Sequence, residues 1–175
     1  GAGAATARTR QGPLSDTQHL IGLISDTHGV VRPEVFAALE GVELILHAGD
    51  VGDGVLEELA AIAPVHAVYG NTDDADDPRL TAAIGETFDH VRVHVSHGHE
   101  LGQPTPDALL ARYDADVLVY GHTHRPLLVR ADARWVVNPG AAGPRRFDIA
   151  PSVARMRISG GDVDITLVPL VPHAP

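Results

Sequence analysis

From Leu20 onward, apolar runs of strand length alternate with helix-like stretches. The runs cover residues 20–25, 42–47, 65–69, 91–96 and 116–120. Several are continuous Val/Ile/Leu segments, the pattern of strands buried on both faces. Residues 91–96 alternate instead, which places Val91, Val93 and Val95 on one face. Between the runs, Pro33 suits a first helical turn, with Val35, Phe36 and Leu39 sharing a face. Residues 55–63 predict a helix whose apolar side is Leu56, Leu59 and Ile62. Thr105 reads as an N-cap and Pro106 as the first helical residue, with Leu109, Leu110 and Tyr113 following at helical spacing. After residue 125 the pattern is strand only. Residues 126–130 and 134–138 flank a short turn, and residues 153–158 and 163–167 flank Ser159-Gly160-Gly161-Asp162. The chain therefore reads as βαβα-like first and antiparallel later. We expect a tail over 1–18, one domain over 19–170 and a short C-terminal tail over 171–175, with no internal repeat.

Composition removes many chemistries. All 13 basic residues among the 175 are arginine, so a Walker-A loop, a Schiff-base lysine and a lysine base are excluded. Cysteine is absent, which excludes thiol nucleophiles and thiolate metal sites. A net charge of −10 repels polyanions, and seven aromatic residues leave few stacking platforms, so long nucleic acid is not an expected partner. No apolar run approaches the ~18 residues of a membrane span, and with no signal-like segment the expected location is cytoplasmic. What remains for chemistry is Asp, Glu, Asn, Arg and 11 histidines, an inventory suited to metals held by oxygen and imidazole.

Each of the five runs ends in a short polar motif. In order these are Asp26-Thr27-His28, Gly49-Asp50 with Asp53 beyond, Gly70-Asn71-Thr72-Asp73, His97-Gly98-His99 and Gly121-His122-Thr123-His124. Ligands of open α/β sheets gather at the carboxyl ends of strands. Five strands side by side would bring all five motifs to one edge. Each motif alone is weak; their joint occurrence, in order and each after a strand-like run, is the signal.

Taken together, Asp26-x-His28, Gly49-Asp50, Gly70-Asn71, His97 and Gly121-His122-x-His124 resemble the calcineurin-like metallophosphoesterase signature. The short length and the Asn138-Pro139-Gly140 turn resemble its small prokaryotic, YfcE-like branch, to which the eukaryotic retromer scaffold subunit is related. The likeness covers roughly residues 20–168. It implies an α/β fold of two packed mixed β-sheets flanked by helices. It also implies two divalent metal ions (Mn, Fe, Ni or Zn, with Mn favoured). Asp26, His28, Asp50 and His124 would hold one ion; Asp50, Asn71, His97 and His122 would hold the other, with Asp50 bridging. The implied activity is hydrolysis of a small phosphate ester, a phosphodiester above all, by a hydroxide bridging the ions. Asp50, Asn71, His97 and, as a candidate acid, His99 would form the catalytic set. A scaffold that keeps the fold without turnover is the alternative, and a homo-oligomer is compatible with either.

Two departures qualify the likeness. Many members carry His directly after the Asn, as a group to protonate the leaving oxygen; here Thr72 stands there. His99 is the nearest replacement, unless it is a loop residue flanking the site. Ala141 replaces the Ser that often follows the Asn-Pro-Gly turn. Asp53 reads as a residue at a helix N-terminus and Asp73 as a turn builder. His47 reads equally as a packed side chain or a neighbour of the site. His19, His66, His90, His94 and His173 read as structural. Arg125, Arg145 and Arg146 have the chemistry to reach a phosphate, but surface solvation is their default. The −10 surface does not forbid a small anionic substrate, because two dications outweigh Asp26, Asp50 and one hydroxide.

Overall fold

The computed structural model describes residues 18–145 and 148–171. Eleven strands and three helices fall in the order β1 (Gln18–Ile24), α1 (Glu34–Ala38), β2 (Leu44–His47), α2 (Val55–Leu59), β3 (Val65–Val68), β4 (Leu80–Thr81), β5 (Ile84–Phe88), β6 (Val91–Val95), α3 (Pro106–Arg112), β7 (Val117–Val119), β8 (Leu127–Ala131), β9 (Arg134–Asn138), β10 (Ser152–Ser159) and β11 (Asp162–Pro169). They build a six-stranded sheet, β11-β10-β1-β2-β3-β4, and a five-stranded sheet, β5-β6-β7-β9-β8. In the first sheet β1–β4 run parallel and β10–β11 antiparallel. In the second, β6, β7 and β9 are parallel, with antiparallel edge strands β5 and β8. The expected two mixed sheets with helices are present. The five motif-bearing strands are not side by side, however: β1–β3 belong to one sheet, β6 and β7 to the other. Their motifs meet across the two layers instead.

Burial explains the layering. Ile21, Leu23 and Leu46 of the first sheet pack against Val93, Val95, Val117, Val119 and Val137 of the second, with Ala154, Met156 and Ile158 completing this inner core. The alternation read over residues 91–96 is what places the three valines there. On the outer face of the first sheet, Ile24, Ile45 and Val153 meet Val35 and Leu39 near α1 and Val55 and Leu59 of α2. On the outer face of the second, Leu118, Tyr120 and Val136 meet Leu109 of α3. Continuous apolar runs are thus strands covered on both faces.

Several local expectations change. The second helix is one turn shorter at its C-terminus than the apolar pattern, ending at Leu59, and Val55 rather than Leu56 joins Leu59 in the buried set. Phe36 turns outward while Val35 and Leu39 are buried. At α3 the reading holds: Thr105 Oγ1 accepts the Ala108 N–H at 3.1 Å, with Pro106 at the first position. Strands β4 and β5 lie in a stretch with no assigned element, because their alternation is short and interrupted by Gly85. β1 starts at Gln18, inside the segment read as a tail. Residues 1–17 and 172–175, with His173, lie outside the described residues. Among the described residues no helix is long and apolar enough to cross a membrane.

Candidate metal centre

All five polar motifs lie just past the carboxyl ends of β1, β2, β3, β6 and β7. Parallel pairing within each sheet points those ends the same way, and sheet stacking brings the two sets together. The backbone turns sharply there. Asp26, His28, Asp50, His122 and His124 all have positive φ, between 47° and 72°. Each costs roughly 1–2 kcal/mol for an L-residue, so the surroundings must hold these conformations. Part of that hold is a backbone ladder: Asp26 N–H donates to Gly49 O, His28 N–H to Asp50 O and Gly29 N–H to Val51 O, all at 2.9–3.0 Å. From the other side, Ala142 N–H donates to Ser25 O and Gly143 N–H to Asp26 O.

The seven expected ligands form one connected cluster. Asp26 Oδ1 lies 3.3 Å from His124 Nε2, 3.8 Å from His28 Nε2 and 3.9 Å from His97 Nε2. Asp50 Oδ2 lies 3.3 Å from His97 Nε2 and 3.7 Å from His28 Nε2. His28 Nε2 and His124 Nε2 are 3.4 Å apart. Asn71 Oδ1 stands 3.0 Å from His97 Nε2 and 3.2 Å from His122 Nδ1. Two overlapping groups have metal-site spacing, Asp26 with His28 and His124, and Asp26 with Asp50 and His97. Asp26 is thus nearer to His97 than the sequence pattern alone suggests. Asp26, Asp50, His97 and His124 are buried, His28 and His122 are half-buried and Asn71 is exposed, so the cluster opens on the Asn71 side.

The inward-facing atoms suit cations. His97 Nδ1 is 2.7 Å from the Ala48 carbonyl, so the neutral ring carries its proton there and turns an Nε2 lone pair inward. That lone pair faces the oxygens of Asn71 and Asp50. Each carboxylate has one oxygen occupied by the protein. Asp26 Oδ2 accepts from Ser25 Oγ at 2.7 Å and His122 N–H at 3.2 Å, while Asp50 Oδ1 accepts from Thr72 N–H at 3.0 Å. The other oxygens turn to the centre, and Asp26 Oδ1 is buried with no hydrogen-bond partner. Acceptors converging in this way need protons or metal ions between them. An oxygen and imidazole set without thiolate fits a divalent first-row ion.

The titration of the cluster says the same. Burial by itself would raise the Asp50 pKa, but hydrogen bonds from His97 and Thr72 outweigh it and hold the carboxyl well below its usual range. Burial would lower His97; its hydrogen bond to Asp50 and the charges of Asp26 and Asp50 raise it instead. His122 is pushed down by burial and by the neighbouring His97.

Close approach requires glycine at several positions around the cluster, Gly70 and Gly121 among them. A methyl at Gly70 would overlap the Asp50 carboxylate, and one at Gly121 would overlap Ser25 Oγ and crowd Asp26 Oδ2.

The residues around the cluster include several whose roles the motifs did not show. His47 is fully buried, and burial lowers its pKa to about 4, so the ring is neutral. Gly49 N–H donates to His47 Nδ1 at 3.1 Å, which leaves the ring proton on Nε2. That proton faces Thr27 Oγ1 at 3.0 Å, and the Thr27 hydroxyl donates to Val51 O at 2.6 Å. Asp73 is more than a turn residue, as its carboxylate accepts N–H bonds from Val51, Gly52 and Gly70. Asn138 anchors the fifth motif, its amide donating to Gly121 O and Thr123 Oγ1 at 3.1 and 3.0 Å. All of these sit within three residues of a motif residue or of the Asn-Pro-Gly turn, the one signal that pointed at them. Asp53 is exposed, and the N-cap of α2 is Gly54. His99 lies beside the cluster, its ring 5.3 Å from His97 and 6.4 Å from both His122 and Tyr69. His66 pairs with Glu86, His19 with Glu43, and His94 stacks on Tyr113, all away from the cluster. His90 is an exposed turn residue. Arg125 and Arg145 are exposed, and Arg146 lies outside the described residues.

Two stacked mixed sheets with an Asp, Asn and His cluster at their shared strand ends define a metallophosphoesterase type of protein. The chain belongs to the calcineurin-like phosphoesterase superfamily, whose domain model matches residues 20–161. It is 41% identical over 164 residues to a probable metallophosphoesterase of Methanothermobacter thermautotrophicus, covering 85% of this chain and 91% of that one. It is 30% identical over 139 residues to a phosphodiesterase of Methanocaldococcus jannaschii, covering 69% and 82%. The structure resembles vacuolar protein sorting 29 of Cryptosporidium parvum with a TM-score of 0.72 at 24% identity, covering 87% and 97%. That last likeness is one of fold.

Proposed function

We propose that the protein is a metal-dependent phosphoesterase acting on small phosphodiesters at this cluster. The observation that carries the reading is the convergence of lone pairs, with Asp26 Oδ1 buried and unpaired among His28, His97 and His124. Asp26, His28, Asp50 and His124 would hold one divalent ion. Asp50, Asn71, His97 and His122 would hold a second, with Asp50 common to both sets. Ions in those places would neutralise phosphate oxygens and lower the pKa of water so that hydroxide attacks phosphorus. No side-chain nucleophile is then needed, which fits a chain without cysteine or lysine. The family membership and the phosphodiesterase among its relatives support the same chemistry.

The chain's own groups divide the remaining tasks. Ser25 and the His122 N–H hold Asp26, and the Thr72 N–H holds Asp50, so that one oxygen of each carboxylate stays turned inward. Thr72 brings no acid to the leaving oxygen. His99, half-buried beside His97 and His122, would be the nearest side chain to deliver that proton, the alternative being a loop residue flanking the site. Without a histidine at position 72, diesters and good leaving groups are the favoured substrates.

The test combines metal analysis with hydrolysis of chromogenic mono- and diesters in added Mn²⁺. Bound metal and faster diester cleavage are expected, with Asp50→Asn inactive. Metal-loaded protein that cleaves neither ester, or full activity in Asp50→Asn, refutes the proposal. Stable metal without turnover, with partner binding unaffected by stripping, would instead favour a scaffold.

A further inference from the structure

The loops that carry the cluster are not joined in the same way. Between the first and second loops the backbone ladder continues past the strand ends, through Asp26 to Gly49, His28 to Asp50 and Gly29 to Val51. Between the second and third loops it stops. Strand pairing of β2 with β3 ends at His47 and Ala67. Among the described residues, no backbone–backbone hydrogen bond joins residues 48–54 to residues 69–74. Two carboxylates span that gap. One is Asp50, which accepts the Thr72 N–H and is itself a proposed metal ligand. The other is Asp73. Its Oδ1 accepts from Val51 N–H at 3.0 Å and Gly52 N–H at 3.2 Å, and its Oδ2 accepts from Gly70 N–H at 2.9 Å and shares the Val51 N–H at 3.0 Å. Val51 follows Asp50 and Gly70 precedes Asn71, so both anchor points are peptide neighbours of proposed ligands.

We infer that Asp73 is a positioning residue that sets Asn71 against Asp50 and so builds the half of the centre containing Asn71, His97 and His122. This rests on the metal-centre reading above. An ionised carboxylate accepting three N–H groups is a strong, directional clamp. It holds whether or not metal is bound, since none of its contacts is a ligand atom. Outer partners of this kind change metal affinity by about 10–100-fold when removed. The loss here falls mainly on one ion, because His28 and His124 are placed by other loops.

The test compares wild type with Asp73→Asn and Asp73→Ala, loaded with Co²⁺ and read by titration calorimetry and visible absorption. Wild type is expected to take two equivalents. Both variants are expected to keep the first and to bind the second about 10–100-fold more weakly, with the matching part of the absorption band lost. Equal affinities for both ions in a folded variant overturn the inference, whatever happens to the melting temperature. A wild type that binds no Co²⁺ overturns the metal-centre reading itself. Amide hydrogen exchange of metal-free wild type gives an arm that needs no variant. Val51, Gly52 and Gly70 are expected to stay protected without metal; free exchange at all three refutes the clamp.

Discussion

Replacing Thr27 by Val tests whether the link between the first two loops is specific. Thr27 is fully buried. Its hydroxyl accepts from His47 Nε2 and donates to Val51 O. Valine keeps the shape and removes both bonds. His47 cannot adapt by moving its proton, because Gly49 N–H requires Nδ1 as an acceptor. The Nε2–H is then buried with no partner, at a cost of about 1–3 kcal/mol. Val51 O keeps one donor, Gly29 N–H, so its loss adds about 1 kcal/mol at most. The expected destabilisation is about 1–4 kcal/mol, or roughly 2–15 °C in Tm for a domain of this size. Thr27→Ser keeps the hydroxyl and loses a methyl, so it should cost about 1 kcal/mol. Thermal and urea unfolding followed by circular dichroism in EDTA separates the two. If Thr27→Val is as stable as Thr27→Ser, the hydrogen-bonded relay is not what holds the loop.

Two other perturbations probe the same region. His47 is neutral in the fold, with a pKa of about 4 against 6.5 in the unfolded chain, so the unfolded state takes up the proton first. Its contribution is complete above pH 6.5 and is lost as pH falls through 4, a change of about 3 kcal/mol. The stability difference between wild type and His47→Gln should narrow by that amount in urea melts from pH 7 to 4; a constant difference would contradict it. Gly70→Ala places a methyl on the Asp50 carboxylate, so the folded protein should bind Mn²⁺ at least about tenfold more weakly by calorimetry. Unchanged affinity would show that the carboxylate can move without consequence.

That these seven side chains gather at one place was legible in the sequence because each motif follows directly after an apolar run, at the carboxyl end of a strand. The inner-core valines 91, 93 and 95 were legible from the alternation of their strand. Phe36 was misplaced because helical spacing names a face, not which residues at its margin are covered. β4 and β5 escaped because two-residue and Gly-interrupted strands carry almost no period. A Gly-Asn-Thr-Asp stretch favours a turn, and the local pattern names Asp73 as a turn residue for that reason. Its bonds to Val51 and Gly52 cross more than twenty positions and have no local signature.

The sequence by itself determined which side chains stand at the strand ends: five motifs of Asp, Asn and His, in a chain with no lysine or cysteine. The tertiary structure decided how those motifs meet, across two sheets rather than along one edge, and which oxygen of each carboxylate faces inward. The reason is physical. Residue type and period are properties of neighbours in the chain. Whether the His122 N–H reaches Asp26 Oδ2 and the Thr72 N–H reaches Asp50 Oδ1 depends on packing between segments 96 and 22 residues apart, and only the folded molecule fixes that.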